Sequence, residues 1–139
     1  MQQNPPIRPV KKALQTARQA VKVTISAVRA KSTRTQVYIG LNDGDTKEQR
    51  FGTDRYVSIM KRVCAQYGTP FSFNIMAGGY VHDNGEYTEE TTIVITFIDV
   101  PRKTVNEIAE DLCVFFRQES VLITTSRIKT QQVHRVTEA

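Results

Sequence analysis

The stretch "TTIVITFIDVPRKTVNEIAEDL", residues 91–112, decides the fold. Its first half places apolar side chains on both faces of an extended chain, with Ile93, Ile95 and Phe97 on one and Val94 and Ile98 on the other. A strand that is apolar on both faces belongs at the centre of a sheet. Pro101 ends the extended run. Thr104-x-x-Glu107 then has the spacing of a capping box, in which hydroxyl and carboxylate satisfy the free amides of a new helix. That helix carries Val105, Ile108, Leu112, Phe115 and Phe116 inward and is expected to run to about Gln118.

The rest of the chain falls into place around this unit. Upstream, "TQVYIGL" alternates with Val37, Ile39 and Leu41 on one face, as a half-buried strand does. A polar loop, "NDGDTKEQRFG", follows. Thr53 is then positioned to cap a helix that ends at Tyr67, with Asp54 in its first turn and an apolar stripe of Tyr56, Met60, Val63, Cys64 and Tyr67. Gly68 and Pro70 stop it. "PFSFNIM" is a second strand, joined to residues 91–99 by "GGYVHDNGEY". "SVLITTSRI" is the fourth strand, and "KTQQVHRV" extends it or forms a short edge strand. The order βαββαβ, with right-handed crossovers, predicts an α+β, ferredoxin-like sandwich with an antiparallel sheet and two helices on one face. The other face then needs cover.

The 139 residues suffice for one domain. Hydrophobic residues at 40% and charged residues at 24% are ordinary for a globular protein, and no apolar run reaches the ~18 residues of a membrane span. Residues 1–36 hold eight bases and no acid, whereas residues 37–139 carry a net charge of −3. We therefore divide the chain into a basic N-terminal extension, 1–35, and the α+β domain, 36–139. Val10, Leu14, Ala17, Val21, Ile25 and Val28 recur at helical spacing in the extension, although "VKVTISAV" also alternates as a strand would. "KSTRT" reads as a linker. Residues 8–34 could meet nucleic acid or an acidic surface of the protein's own oligomer. The start of the chain is polar and proline-rich, unlike a signal peptide. Cys64 and Cys113 lack metal-ligand spacing and read as free thiols in a reducing compartment, so the expected location is the cytoplasm of the host cell.

Motifs for catalysis are few. No Walker loop, G-x-S-x-G or H-E-x-x-H occurs. "NDGDT" has a calcium-loop flavour, but its glycine lies between the acids and the closing acid is missing. Glu89 and Glu90 are adjacent and point to opposite faces of a strand, so they are no carboxylate pair. What remains suits binding. Arginine forks match phosphates, and aromatic rings and Asn suit bases and ribose. The ligand-binding candidates are Tyr80, His82 and Asn84 on the glycine-hinged stretch, and Arg102, Phe116, Arg117 and Arg127 around the second helix and last strand.

"VYIGLNDGDTKEQ", "AGGYVHDNGEYTEETTIVI" and "FRQESVLITT" together resemble a family of small phage and prophage proteins, the first type of Thoeris anti-defence protein. The likeness covers residues 36–130. It implies a dimer-based even oligomer that binds a cyclic ADP-ribose isomer, in some members also cyclic oligonucleotides, without cleaving it. "GGYVHDNGEY" would then be a lid. Tyr80 would stack on adenine, His82 or Asn84 would bond ribose or phosphate, and Arg117 would pair with the pyrophosphate. No cofactor, metal or catalytic residue is implied. The basic extension departs from the pattern. "QESVL" also resembles a bacterial family of unknown function, often secreted. Two further readings from the residues are a nucleic-acid-binding protein using the extension and a small-metabolite enzyme of ferredoxin-like fold.

Overall fold

A computed structural model describes residues 30–136. The elements are β1 (Ala30–Gly40), α1 (Thr53–Gln66), β2 (Ser72–Val81), β3 (Tyr87–Ile98), α2 (Arg102–Phe116) and β4 (Leu122–Thr130). The strands form one antiparallel sheet in the order β2-β3-β1-β4. This is the ferredoxin-like arrangement that the alternation and capping signals predict. Contacts divide the chain into Thr33–Arg127 and a smaller unit formed by its two ends, through Ser32 and from Ile128. In the smaller unit the hydroxyls of Ser32 and Thr130 are 2.7 Å apart. The basic helix expected in the N-terminal extension lies outside the described residues. Among the described residues, no helix is long and apolar enough to cross a membrane.

β3 is central, paired with β1 on one side and β2 on the other. The register sets Val37 opposite Ile95 and Ile39 opposite Ile93, so every second residue of both strands points to the same face. That face meets Tyr56, Met60, Val63 and Cys64 of α1 and Val105, Ile108, Leu112 and Phe116 of α2 in one buried cluster. Each fully buried Val or Ile there contributes roughly 1.5–3 kcal/mol. Val94, on the opposite face, is buried as well.

Several boundaries differ from the sequence expectation for identifiable reasons. "KSTRT" belongs to β1: Arg34 and Thr35 ladder with Ile98 and Phe97, and Asp99 closes the strand end by exchanging bonds with Thr33. α1 is capped by Gly52 rather than Thr53, whose hydroxyl instead accepts a bond from Gln49 Nε2 at 3.1 Å. The capping box at Thr104 does not form. Pro101 is the N-cap instead, so α2 begins three residues earlier, and Glu107 pairs with Lys103 one turn back. α2 ends at Phe116 because Arg117 turns left-handed, which puts Phe116 in the core and leaves Phe115 exposed. β4 stops at Thr130, and residues 131–136 carry no regular structure.

Candidate functional site

β2 runs through Gly78, Gly79 and Tyr80 to Val81, paired residue by residue with Glu90, Glu89, Thr88 and Tyr87. "GGYVHDNGEY" is therefore a closed hairpin, not a glycine-hinged lid. The turn itself is made by Gly85, whose φ of +86° suits a glycine, and by the Asn84 side chain, which accepts the Glu86 amide at 3.0 Å. His82 Nε2 lies 2.8 Å from Thr88 Oγ1 across the ladder, and its ring meets Tyr80 edge-on at 4.7 Å. A side chain at Gly79 would meet the end of the exposed Tyr87 ring, which lies over that position.

The same pairing creates a site that the sequence did not expose. Glu90 sits opposite Gly78 on β2, while its carboxylate reaches over β1 into the space that a side chain at Gly40 would fill. The side chain is half-buried, and burial raises its pKa. The nearby backbone amide of Asn42 lowers it in part. Asn42 is committed on every side. Its Nδ2 donates to the Glu89 carbonyl at 3.2 Å, and its own carbonyl accepts from Gln118 Nε2 beyond the end of α2. It thus ties the end of β1 to β3 and to α2.

Asp43 follows, only 2% exposed. Its Oδ1 accepts the amides of Asp45 and Thr46 at 2.8 and 3.1 Å. Its Oδ2 faces Arg117 Nε at 3.4 Å and Arg50 Nη1 at 3.6 Å. The two amides, helped by Arg117 and Arg50 against the opposing effect of burial, hold its pKa below the usual carboxylate value. Two clefts flank this construction. One of about 510 Å³ is lined by Gln49, Ala77, Gly78, Gly79, Tyr87 and Glu89, and one of about 250 Å³ by Lys47, Tyr80, Gln118, Glu119 and Ser120. Asn42 and Glu90 line both.

Of the predicted ligand residues, Tyr80 lines the smaller cleft, and His82 and Asn84 serve the hairpin. Arg117 is spent on Asp43 and, at 3.6 Å, on Asp45. Phe116 is a core residue, 2% exposed and edge-on to Tyr56 at 5.0 Å, so it has no free face for a ligand. Arg102 lines a separate cleft with Thr33, Asp99 and Thr125, and Arg127 is exposed on β4. Among the described residues, no group of three or more His, Cys, Asp or Glu is placed to hold a metal ion.

No family model matches the sequence, and no curated protein matches it. Solved structures do. A phage SAM lyase in its apo state aligns with a TM-score of 0.55 and 20% identity, over 78% of this chain and 94% of that one. The same kind of enzyme in complex with S-methyl-5'-thioadenosine gives 0.54 and 19%, over 77% and 93%. GlnK of B. subtilis in complex with ATP gives 0.47 and 13%, over 70% and 82%. At 19–20% identity the likeness to the lyase shows the shared fold. The expectation of a protein with no enzymatic activity is corrected by it: the lyase, an enzyme, has this architecture over nearly its whole length.

Proposed function

We propose that this chain is a ferredoxin-like enzyme acting on a small adenosine-containing sulfonium compound, with S-adenosylmethionine as the first substrate to test. The observation that carries the reading is the Glu90 carboxylate. It is half-buried, fills the space of a side chain at Gly40, and lines two clefts, one also lined by Tyr80 and the other by Tyr87. The larger cleft falls within the range of small-molecule sites, about 300–1,000 Å³. The fold shared with the phage SAM lyase, one structure of which holds S-methyl-5'-thioadenosine, supports the choice of substrate class.

In this reading the tyrosine rings offer flat faces to the adenine, and Glu90 faces the positive charges of the sulfonium and the ammonium. Cleavage breaks the bond between sulfur and the four-carbon amino-acid chain. The electron pair goes to sulfur and leaves a neutral thioether. The carbon fragment either closes on its own carboxylate or sheds a proton to Glu90. Both routes balance, and the identity of the four-carbon product tells them apart.

The test is incubation of the purified protein with S-adenosylmethionine, followed by mass spectrometry of the products. Formation of S-methyl-5'-thioadenosine that is lost in Glu90→Gln supports the reading. Wild-type protein that neither binds nor cleaves the compound overturns it. A cyclic ADP-ribose isomer, the ligand implied by the sequence resemblance, is the alternative occupant of the same clefts and forms a second arm of the binding assay. A homodimer or higher even oligomer belongs to the same proposal. β2 is an edge strand with Ile75, Met76 and Val81 exposed, a surface that a second copy would cover.

A further inference from the structure

We propose that the groove between α1 and the end of α2 is a second binding site, for a small amphipathic anion: a carboxylate, sulfonate or phosphate head on an acyl or aromatic body. It shares no lining residue with the clefts beside Glu90 and does not depend on the reading of that site.

The groove encloses about 450 Å³, within the range of small-molecule sites. Helical periodicity sets its walls. Arg55, Ser58, Arg62 and Gln66 recur three or four residues apart along α1, so they fall on one stripe, and all four line the groove. Ile59, half-buried, and Val63, buried, lie on the adjoining stripe and form its floor. Phe115 closes the far side from the last turn of α2, with 59% of its surface exposed.

The polar stripe is unspent. Among the described residues, the side chains of Ser58, Arg62 and Gln66 make no hydrogen bond or ion pair. Arg55 makes only a ring contact, its guanidinium 3.9 Å from the centre of the Phe51 ring. Stacking of that kind holds the group in place and leaves the N–H donors at its edge free. Other bases of the domain are met by acids: Arg50 and Arg117 face Asp43, and Lys103 faces Glu107. No acid lines this groove, and the acid that α1 carries, Asp54, sits in its first turn, two turns before Arg62. Lys61, the remaining base of α1, lies 5.5 Å from the Phe73 ring and does not line the groove.

The two walls together select the ligand class. A neutral apolar molecule would cover Phe115 and leave unpaired donors beneath it, which is costly. A bare inorganic anion would meet Arg62 and leave Phe115 in water. A cationic amphiphile would meet two guanidinium groups of its own sign. An anionic head on an apolar body satisfies both walls, with charge-assisted hydrogen bonds to the stripe and the body between Ile59, Val63 and Phe115.

The experiment titrates the full chain with 8-anilinonaphthalene-1-sulfonate, followed by fluorescence and by amide NMR shifts, in wild type, Arg62→Gln, Arg62→Lys and Phe115→Ala. Laurate and dodecyltrimethylammonium, below their micelle concentrations, serve as competitors. Binding is expected to saturate at one site, to shift the amides of Ile59, Val63 and Phe115, and to be displaced by laurate but not by dodecyltrimethylammonium. Arg62→Gln and Phe115→Ala should each weaken it by about tenfold or more, with Arg62→Lys recovering part. Both side chains are exposed, so the melting temperature should hold. No saturable binding, equal displacement by the cation, or shifts confined to Ile75, Met76 and Val81 on β2 or to the Glu90 clefts overturns the proposal. So does unchanged affinity in either folded variant. If Phe115→Ala does not fold, Arg62→Gln decides alone.

Discussion

A side chain at Gly40 would run into the Glu90 carboxylate, so β1 holds its neighbour's acid only by leaving a residue without a side chain. The colliding atoms are the end of a flexible side chain, not backbone. Gly40→Ala should therefore displace Glu90 without breaking the sheet. The expected outcome is at least a tenfold loss of ligand affinity or turnover with a stability change under about 1 kcal/mol, below the ~1–3 kcal/mol typical of a forced overpacking. Calorimetric binding and a thermal melt of the same preparation check both halves. A variant that binds normally would show that the notch does not serve the ligand.

Tyr67 donates to Asp111 Oδ2 at 2.7 Å, linking the end of α1 to α2. This bond, then burial and the nearby acids, pushes the phenol up to about 12 from its ordinary value of 10.0. The phenol thus keeps its proton longer folded than unfolded. Its stabilising contribution is complete below the unfolded value and is lost as pH rises through the folded one. Denaturant midpoints should fall between about pH 10 and 12, and Tyr67→Phe should flatten that fall while starting from a lower midpoint. Parallel pH profiles for the two proteins would remove the bond from the account.

The sheet, the two helices and most of the core were legible because they rest on local periodicity. Ile93, Ile95 and Phe97 alternate, and Val105, Ile108 and Leu112 recur at helical spacing, whatever their partners are. The ends were harder, because tertiary contacts decide them. Thr104 offers a capping hydroxyl, yet Pro101 starts α2 earlier, and Arg117 stops it in a conformation that no local propensity announces. The site was least legible. Glu90 was set aside because it and Glu89 point to opposite faces, which is true and is what makes Glu90 distinct. Its environment comes from Gly40, fifty positions away in the chain, and from Gly78, brought alongside by strand register. An isolated arginine such as Arg117 reads as a phosphate ligand until its buried partner, Asp43, is seen.

The hairpin provides a direct test of order in the free protein. Residues 78–81 and 87–90 are laddered, so their inter-strand amides should exchange more slowly without ligand than the turn amides, though faster than those at the centre of β3, because β2 is an edge strand. Gly85→Ala places a side chain at a positive φ and should cost about 1–2 kcal/mol. Its effect on binding should be small, because the turn lies outside the residues lining the clefts. Fast exchange across 78–90 that slows on addition of S-adenosylmethionine would return the stretch to the role of a lid.

Glu90 itself links function to stability. Burial raises its pKa, so the folded protein binds this proton more tightly than the unfolded chain, whose glutamates titrate near 4.3, an approximate reference value. Between the unfolded and folded values the native state carries more protons, and stability therefore falls as pH rises through that window. Above it the ionised, half-buried carboxylate is a constant penalty, which the Asn42 amide offsets only in part. Glu90→Gln removes the charge. It should raise the melting temperature at pH 7, and the gain should vanish below about pH 4, where wild type is protonated in both states. The same substitution should abolish ligand turnover. A gain in stability at neutral pH paired with a loss of function is the signature of a group held at a site for its chemistry. A Glu90→Gln protein that is less stable at pH 7 than wild type would make the carboxylate a structural anchor and remove it from the site.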